Sequence, residues 1–119
     1  MNVGERKMEI IRSSDLKEVS HRWGVSIELF KNEKKNTELG LFRCDPDKTM
    51  DIHKHEHGDE IIYVLNGTGN FQVKSKEIEL SEGSALFIPK KVEHKAFNKG
   101  KKEYWCFYVI SSLKWIHKY

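Results

Sequence analysis

The chain has 119 residues, 38% hydrophobic and 33% charged, enough for one domain around one modest core. Its 21 basic and 18 acidic residues are interspersed, with a formal net charge of +3, which argues against a nucleic-acid partner because such binding needs basic residues gathered on one face. The longest strongly apolar runs, Ile61 to Leu65 and Trp105 to Ile110, fall far short of the ~18 residues of a membrane span, so no membrane partner is expected.

Met1 to Met8 mixes charges and lacks the apolar stretch of a secretory signal, which makes the cytoplasm the default location. Cys44 and Cys106 are solitary and far apart, and read as reduced core thiols rather than a disulfide.

Met8 to Ile11 is a short apolar piece that could add an edge strand. Asp15 to Ser20 suggests one helical turn with Ser14 as its cap. From Trp23 to Phe30 the residues alternate, with Trp23, Val25, Ile27 and Leu29 on one face, which predicts a half-buried strand. Lys31 to Thr37 is a charged turn and Leu39 to Arg43 the next strand. Asp45-Pro46-Asp47 stops it, because proline presets φ and aspartate caps its own backbone.

Thr49 to His55 and Glu60 to Leu65 read as the two arms of a hairpin, with Glu56 to Asp59 as its loop. Further strands are expected at Asn70 to Lys74, Lys76 to Leu80, Ala85 to Pro89, His94 to Asn98 and Tyr104 to Ser111. Short strands at regular spacing, with turn residues between them, indicate an all-β sandwich or barrel.

Chemistry gathers in His53-Lys54-His55-Glu56-His57-Gly58-Asp59-Glu60. On a strand, residues two apart point the same way, so His53 and His55 share a face. The hairpin would set Glu60 directly across from His55, with Cβ atoms ~5 Å apart. Two imidazoles and a carboxylate then converge, a donor set suited to Zn, Fe, Mn, Ni or Co. A fourth donor must come from another strand. His94 is the best placed, since it follows a turn and starts a strand. His21 and His117 have no partner nearby in sequence and read as surface histidines.

The segment His53-Lys54-His55, four residues, Glu60, six residues, Gly67 resembles the first cupin motif. Gly83, five residues, Pro89, four residues, His94, three residues, Asn98 resembles the second. Two matched motifs in order are far more specific than a lone His-x-His. The resemblance is to small single-domain cupins, and it implies a jelly-roll β-barrel, or double-stranded β-helix. It further implies one divalent metal per chain, held by His53, His55, Glu60 and His94. Residues 39–112 would form the barrel core, 1–38 N-terminal strands and turns of the same domain, and 113–119 a tail. Two positions depart from the pattern. Asp47 stands where a glycine usually opens the first motif, and Lys91 where a glycine usually follows the proline. If that second position needs φ > 0, lysine costs roughly 1 kcal/mol.

Three neutral imidazoles and one carboxylate would leave a dication with net charge near +1 and, if octahedral, two open positions. Open positions mark a catalytic rather than a structural site. The expected ligand is a small molecule, an anion such as a carboxylate or sugar acid, favoured by the metal's charge and by Lys90, Lys91 and Lys95 near the mouth. Acid–base candidates are Tyr63, Tyr104, Tyr108, His57 and Glu93, with His57 expected at the rim. Trp105, Phe71 and Phe87 read as core. The resemblance implies isomerase, lyase or decarboxylase, or dioxygenase chemistry; the alternative is a non-catalytic module that binds a sugar or small acid. Ile61, Tyr63 and Leu65 face away from the side that carries Glu60, Ile62 and Val64, and Trp105 to Ile110 is apolar on both faces. Strands apolar on both sides need a second cover, and a homodimer supplies it.

Overall fold

The computed structural model describes residues 7–112. His117 and the expected tail at 113–119 lie outside them, as does most of the Met1 to Met8 segment. Nine strands follow in chain order: β1 Val19–His21, β2 Gly24–Asn32, β3 Thr37–Cys44, β4 Asp59–Asn66, β5 Gly69–Val73, β6 Lys76–Leu80, β7 Ala85–Ile88, β8 His94–Phe97 and β9 Tyr104–Ser111. All pairings are antiparallel. Six strands form one sheet, in the order β1-β2-β3-β9-β4-β7, and three form a second, in the order β6-β5-β8. Among the described residues the helical pieces are two single 3-10 turns, so the expected all-β jelly roll is what the chain adopts.

The core lies between the two sheets. Phe42, Cys44, Ile62, Val64, Tyr104 and Cys106 enter it from the large sheet, and Phe71 and Ala96 from the small one. Both cysteines are free and fully buried, and burial pushes the Cys44 thiol up to about 11. The Tyr104 hydroxyl sits 2.8 Å from the Phe97 carbonyl and 3.1 Å from that of Asn70, which anchors β9 across to the small sheet.

Four expectations change. Met8 to Ile11 forms no strand and is exposed. The turn expected over Asp15 to Ser20 is a 3-10 turn at Ser13–Asp15; it buries nothing, and Val19 to His21 pairs with β2 instead. Trp23 parts from Val25 and Ile27. Gly24 sits at φ 152, in an approach so close that an added Cβ would clash with the Arg43 carbonyl oxygen. This bend turns Trp23 inward, edge-on to Phe42 at 6.0 Å, while Val25 and Ile27 are buried outside the core cluster.

The fourth change is the hairpin. Residues 47–55 do not pair with β4. They run beside β8, with Asp47 N–H donating to Asn98 O at 2.9 Å, Met50 N–H to Ala96 O at 2.9 Å and Lys91 N–H to His55 O at 2.7 Å. His53 and His94 are bridge partners that exchange both backbone hydrogen bonds. β4 instead lies between β7 and β9 in the other sheet. The short link after His55 is therefore a crossover from one sheet to the other. A β4 whose Ile62 and Val64 need the core finds a partner on each side in the large sheet, the eight-residue β9 and the four-residue β7, while the edge beside β8 is taken by residues 47–55.

Candidate metal centre

The crossover sets the site at the seam between the sheets. His53 and His55 come from the irregular segment along β8, His94 opens β8, and Glu60 comes from β4 opposite. One oxygen, Glu60 Oε1, accepts from His94 Nε2 at 2.9 Å and from His55 Nε2 at 3.2 Å. The His53 and His94 rings stand 4.4 Å apart, and those of His53 and His55 5.4 Å. Donor atoms of all four residues lie within 4.8 Å of one another. A cation with bonds of ~2.1 Å spans ~4.2 Å between opposite donors, so a small contraction would close the group around one ion.

The backbone selects which imidazole nitrogen is free. His53 Nδ1 lies 2.9 Å from Asp51 O, and His94 Nδ1 lies 2.8 Å from Val92 O. A carbonyl oxygen only accepts, so each Nδ1 carries the proton. That leaves Nε2 of each ring as the atom that could serve as a ligand, on His94 once the proton it gives to Glu60 has left. This is how histidine metal ligands are commonly held, with the remote N–H bound to a carbonyl that fixes tautomer and ring angle.

Charge follows the same geometry. Burial pushes the Glu60 carboxyl up, but the hydrogen bonds from His55 and His94 outweigh it and hold the group below its ordinary value. Burial lowers His94, yet its hydrogen bond to Glu60 leaves the ring raised. His53 is lowered, chiefly by burial. With Nδ1 on a carbonyl and Nε2 on a carboxylate, both ring nitrogens of His94 face acceptors, an arrangement that favours the protonated ring. A divalent ion would take the place of the Nε2 proton. The donor set therefore fits such an ion: two fixed Nε2 lone pairs, a third imidazole and a carboxylate already in its charged form.

The four residues line one end of a pocket of about 360 Å³, within the usual range for small-molecule sites. Trp23, Phe42, Met50, Ile62 and Ile110 give it apolar walls. At its mouth His21 stacks on Trp23, with ring centroids 4.4 Å apart, and His21 Nε2 pairs with Ser26 Oγ at 2.7 Å. His21 is exposed, as expected, but it borders the pocket and has a partner only five residues away. Glu38 also lines the pocket and was not among the expected site residues. No motif marks it, and its place follows only from the register of β3 against β9.

The acid–base candidates separate. Tyr108 lines the pocket and donates to Glu38 Oε2 at 2.7 Å. Burial, then that hydrogen bond, pushes the hydroxyl far above its ordinary range, so it stays protonated. Tyr63 is 40% exposed on the opposite face of β4 and cannot reach the pocket. Tyr104 is sealed in the core and Glu93 is exposed. His57 is exposed and lines an adjoining cleft with His55 and Gly58, outside the four-residue group. Lys90, Lys91 and Lys95 do not line the pocket, because Lys90 and Lys91 lie in the exposed loop before β8 and Lys95 alternates with His94. Phe71 is core, whereas Trp105 and Phe87 are only half-buried.

Residues 40–110 match the family model described as a cupin domain. The chain belongs to the cupin family. This cupin is similar to a protein of Thermotoga maritima named oxalate-binding protein, 27% identical over 104 residues that cover 79% of this chain and 86% of that one. It is 38% identical over 53 residues to an uncharacterized protein of Methanocaldococcus jannaschii, of which it spans 42% of the length while 44% of this chain is covered. Among solved structures it resembles a "predicted oxalate decarboxylase" from Thermotoga maritima, with a TM-score of 0.75, 25% identity, and coverage of 88% of this chain and 100% of that chain. Among the described residues, no helix is long and apolar enough to cross a membrane.

Proposed function

We propose that this cupin is a metal-dependent enzyme whose substrate is a small oxygenated metabolite, by isomerase, lyase or decarboxylase, or dioxygenase chemistry. One observation carries the proposal. His94 Nε2 and His55 Nε2 meet on Glu60 Oε1, His53 joins them within 4.8 Å, and His53 and His94 each have Nδ1 tied to a carbonyl, in a pocket of small-molecule size. His53, His55, Glu60 and His94 would hold one divalent ion. When bound, such an ion supplies Lewis acidity to a carbonyl, carboxylate or hydroxyl oxygen of the ligand. The protein's own part is to hold that ligand against apolar walls and keep water out, with the protonated Tyr108 hydroxyl engaged on Glu38.

A second reading is capture without turnover. The relative named oxalate-binding protein supports it, since a small chelating acid would suit the same donors. The two readings part in a screen of sugar acids, keto acids and diols against protein reconstituted with Zn, Mn, Fe, Co or Ni. An enzyme gives turnover that disappears in His55→Ala while the fold persists. Saturable binding with every compound recovered unchanged supports capture.

We also infer a homodimer with its contact on the outer face of the large sheet. There Leu39, Val109 and Ile61 form one row across three strands, and Leu41, Phe107 and Tyr63 form the next. Tyr63 and Leu65 remain 40% and 45% exposed, a large apolar area for a free surface.

A further inference from the structure

The inner face of the large sheet can be read row by row, because residues paired across antiparallel strands share a face. Glu38 of β3 pairs with Ile110 of β9, and Ile110 pairs with Glu60 of β4. The two carboxylates therefore stand in one row, with a single strand between them. At ~4.8 Å per strand, their backbones are ~10 Å apart. Ile110 is the floor between them, and all three residues line the pocket. In the next row Gly40 pairs with Tyr108. The tyrosine ring lies across the glycine, where an added Cβ would meet Tyr108 Oη at 2.5 Å. This lets the hydroxyl reach along β3 to Glu38 Oε2 at 2.7 Å. Tyr108 uses its one O–H on Glu38, and a carboxylate has two oxygens and about four lone-pair sites. The far wall is thus an acceptor, held in place by a donor that is already spent.

We propose that Glu38 is a specificity residue: the pocket takes a ligand that chelates the metal through oxygen at one end and presents a hydrogen-bond donor, a hydroxyl or an ammonium, to the Glu38 carboxylate at the other. This rests on the metal reading above and adds to it the chemistry of the ligand's far end. A second carboxylate at that end would face Glu38 with like charge, in a wall where no lysine or arginine lines the pocket to offset it. Diacids long enough to carry their second carboxylate to that end are therefore disfavoured, and hydroxy acids or amino-bearing acids favoured.

The test separates the two layers. Wild type, Glu38→Gln and Tyr108→Phe are titrated first with Co(II) alone, followed by its visible spectrum. Each Co(II)-loaded protein is then titrated with three 2-hydroxy acids that share one chelating head: 2,4-dihydroxybutyrate with a donor tail, 2-hydroxybutyrate with an apolar tail, and malate with an anionic tail. Hydrogen bonds to charged groups discriminate by about tenfold or more. Wild type should therefore prefer the dihydroxy acid to 2-hydroxybutyrate by about tenfold, with malate weakest. Glu38→Gln should bind cobalt as well as wild type but accept malate within about threefold of the dihydroxy acid, because a neutral amide both donates and accepts. Tyr108→Phe should keep the order with a smaller ratio, because the carboxylate loses its anchor. Equal binding of the three acids by wild type, failure of all three to bind, or the same order and ratios in Glu38→Gln would overturn the proposal, even with cobalt bound normally. A folded wild type that takes no cobalt would overturn the metal reading instead, and this inference with it.

Discussion

At the scale of single residues, two carbonyls decide what the histidines can do. Asp51 O and Val92 O each take an Nδ1–H and leave Nε2 for the centre. The raised His94 and lowered Glu60 give a pH dependence with a definite sign. Both ring nitrogens of His94 face acceptors, and the proton on Nε2 must leave before a cation binds there. Metal affinity should fall as the pH drops through the His94 range, beginning above the ordinary imidazole value because that ring is raised. Calorimetry in buffers of different ionisation enthalpy should show proton release on binding near neutral pH; no release would contradict this account of His94. Gly40 makes a sharper prediction. Its Cβ would lie 2.5 Å from Tyr108 Oη and 2.7 Å from Ile27 O, so Gly40→Ala should cost roughly 1–3 kcal/mol in chemical unfolding, as overpacking does. That His53, His55, Glu60 and His94 converge was legible in the sequence, because residue type and motif spacing mark them. Glu38 was not. Nothing near it in sequence is unusual, and only its register two strands from Glu60 brings it to the pocket.

At the scale of elements, the site depends on the irregular segment 47–55 and the loop before β8. Spacing alone could not tell a hairpin from a crossover, since both carry a residue such as His55 back towards one five places later. What decides is which neighbours the next strand finds, and that is a property of the whole sheet. The departures Asp47 and Lys91 sit at φ 62 and φ 67, so both positions do require the left-handed region. Aspartate tolerates it, and lysine does so at a cost. Lys91→Gly should raise stability by up to about 1 kcal/mol in thermal or urea unfolding, with metal binding unchanged. A loss of stability would mean that the hydrogen bond from Lys91 N to His55 O does not survive the change. The expected alternation of β4 is present, with Ile62 and Val64 buried while Tyr63 and Leu65 face outward.

At the scale of the molecule, the apolar outer face and the His53, His55, Glu60 and His94 group lie on opposite sides of the large sheet. Association and metal binding should therefore be separable. Wild type should sediment at twice 14.0 kDa, and Tyr63→Arg with Leu65→Arg should sediment at monomer mass while keeping its metal. A monomeric wild type would contradict the dimer. The all-β architecture was readable from short strands and turn residues, but their division between two sheets was not, because strand order depends on pairings far apart in the chain.

The central claim is that His53, His55, Glu60 and His94 meet around one divalent cation. Its most direct test is elemental analysis of protein purified without a histidine tag, before and after incubation with Zn, Mn, Fe, Co and Ni and removal of the excess. The account predicts about one divalent ion per chain, lost in His94→Ala and in Glu60→Gln although both variants keep the β-sheet signature. A folded wild-type protein that stays metal-free through every incubation would contradict it.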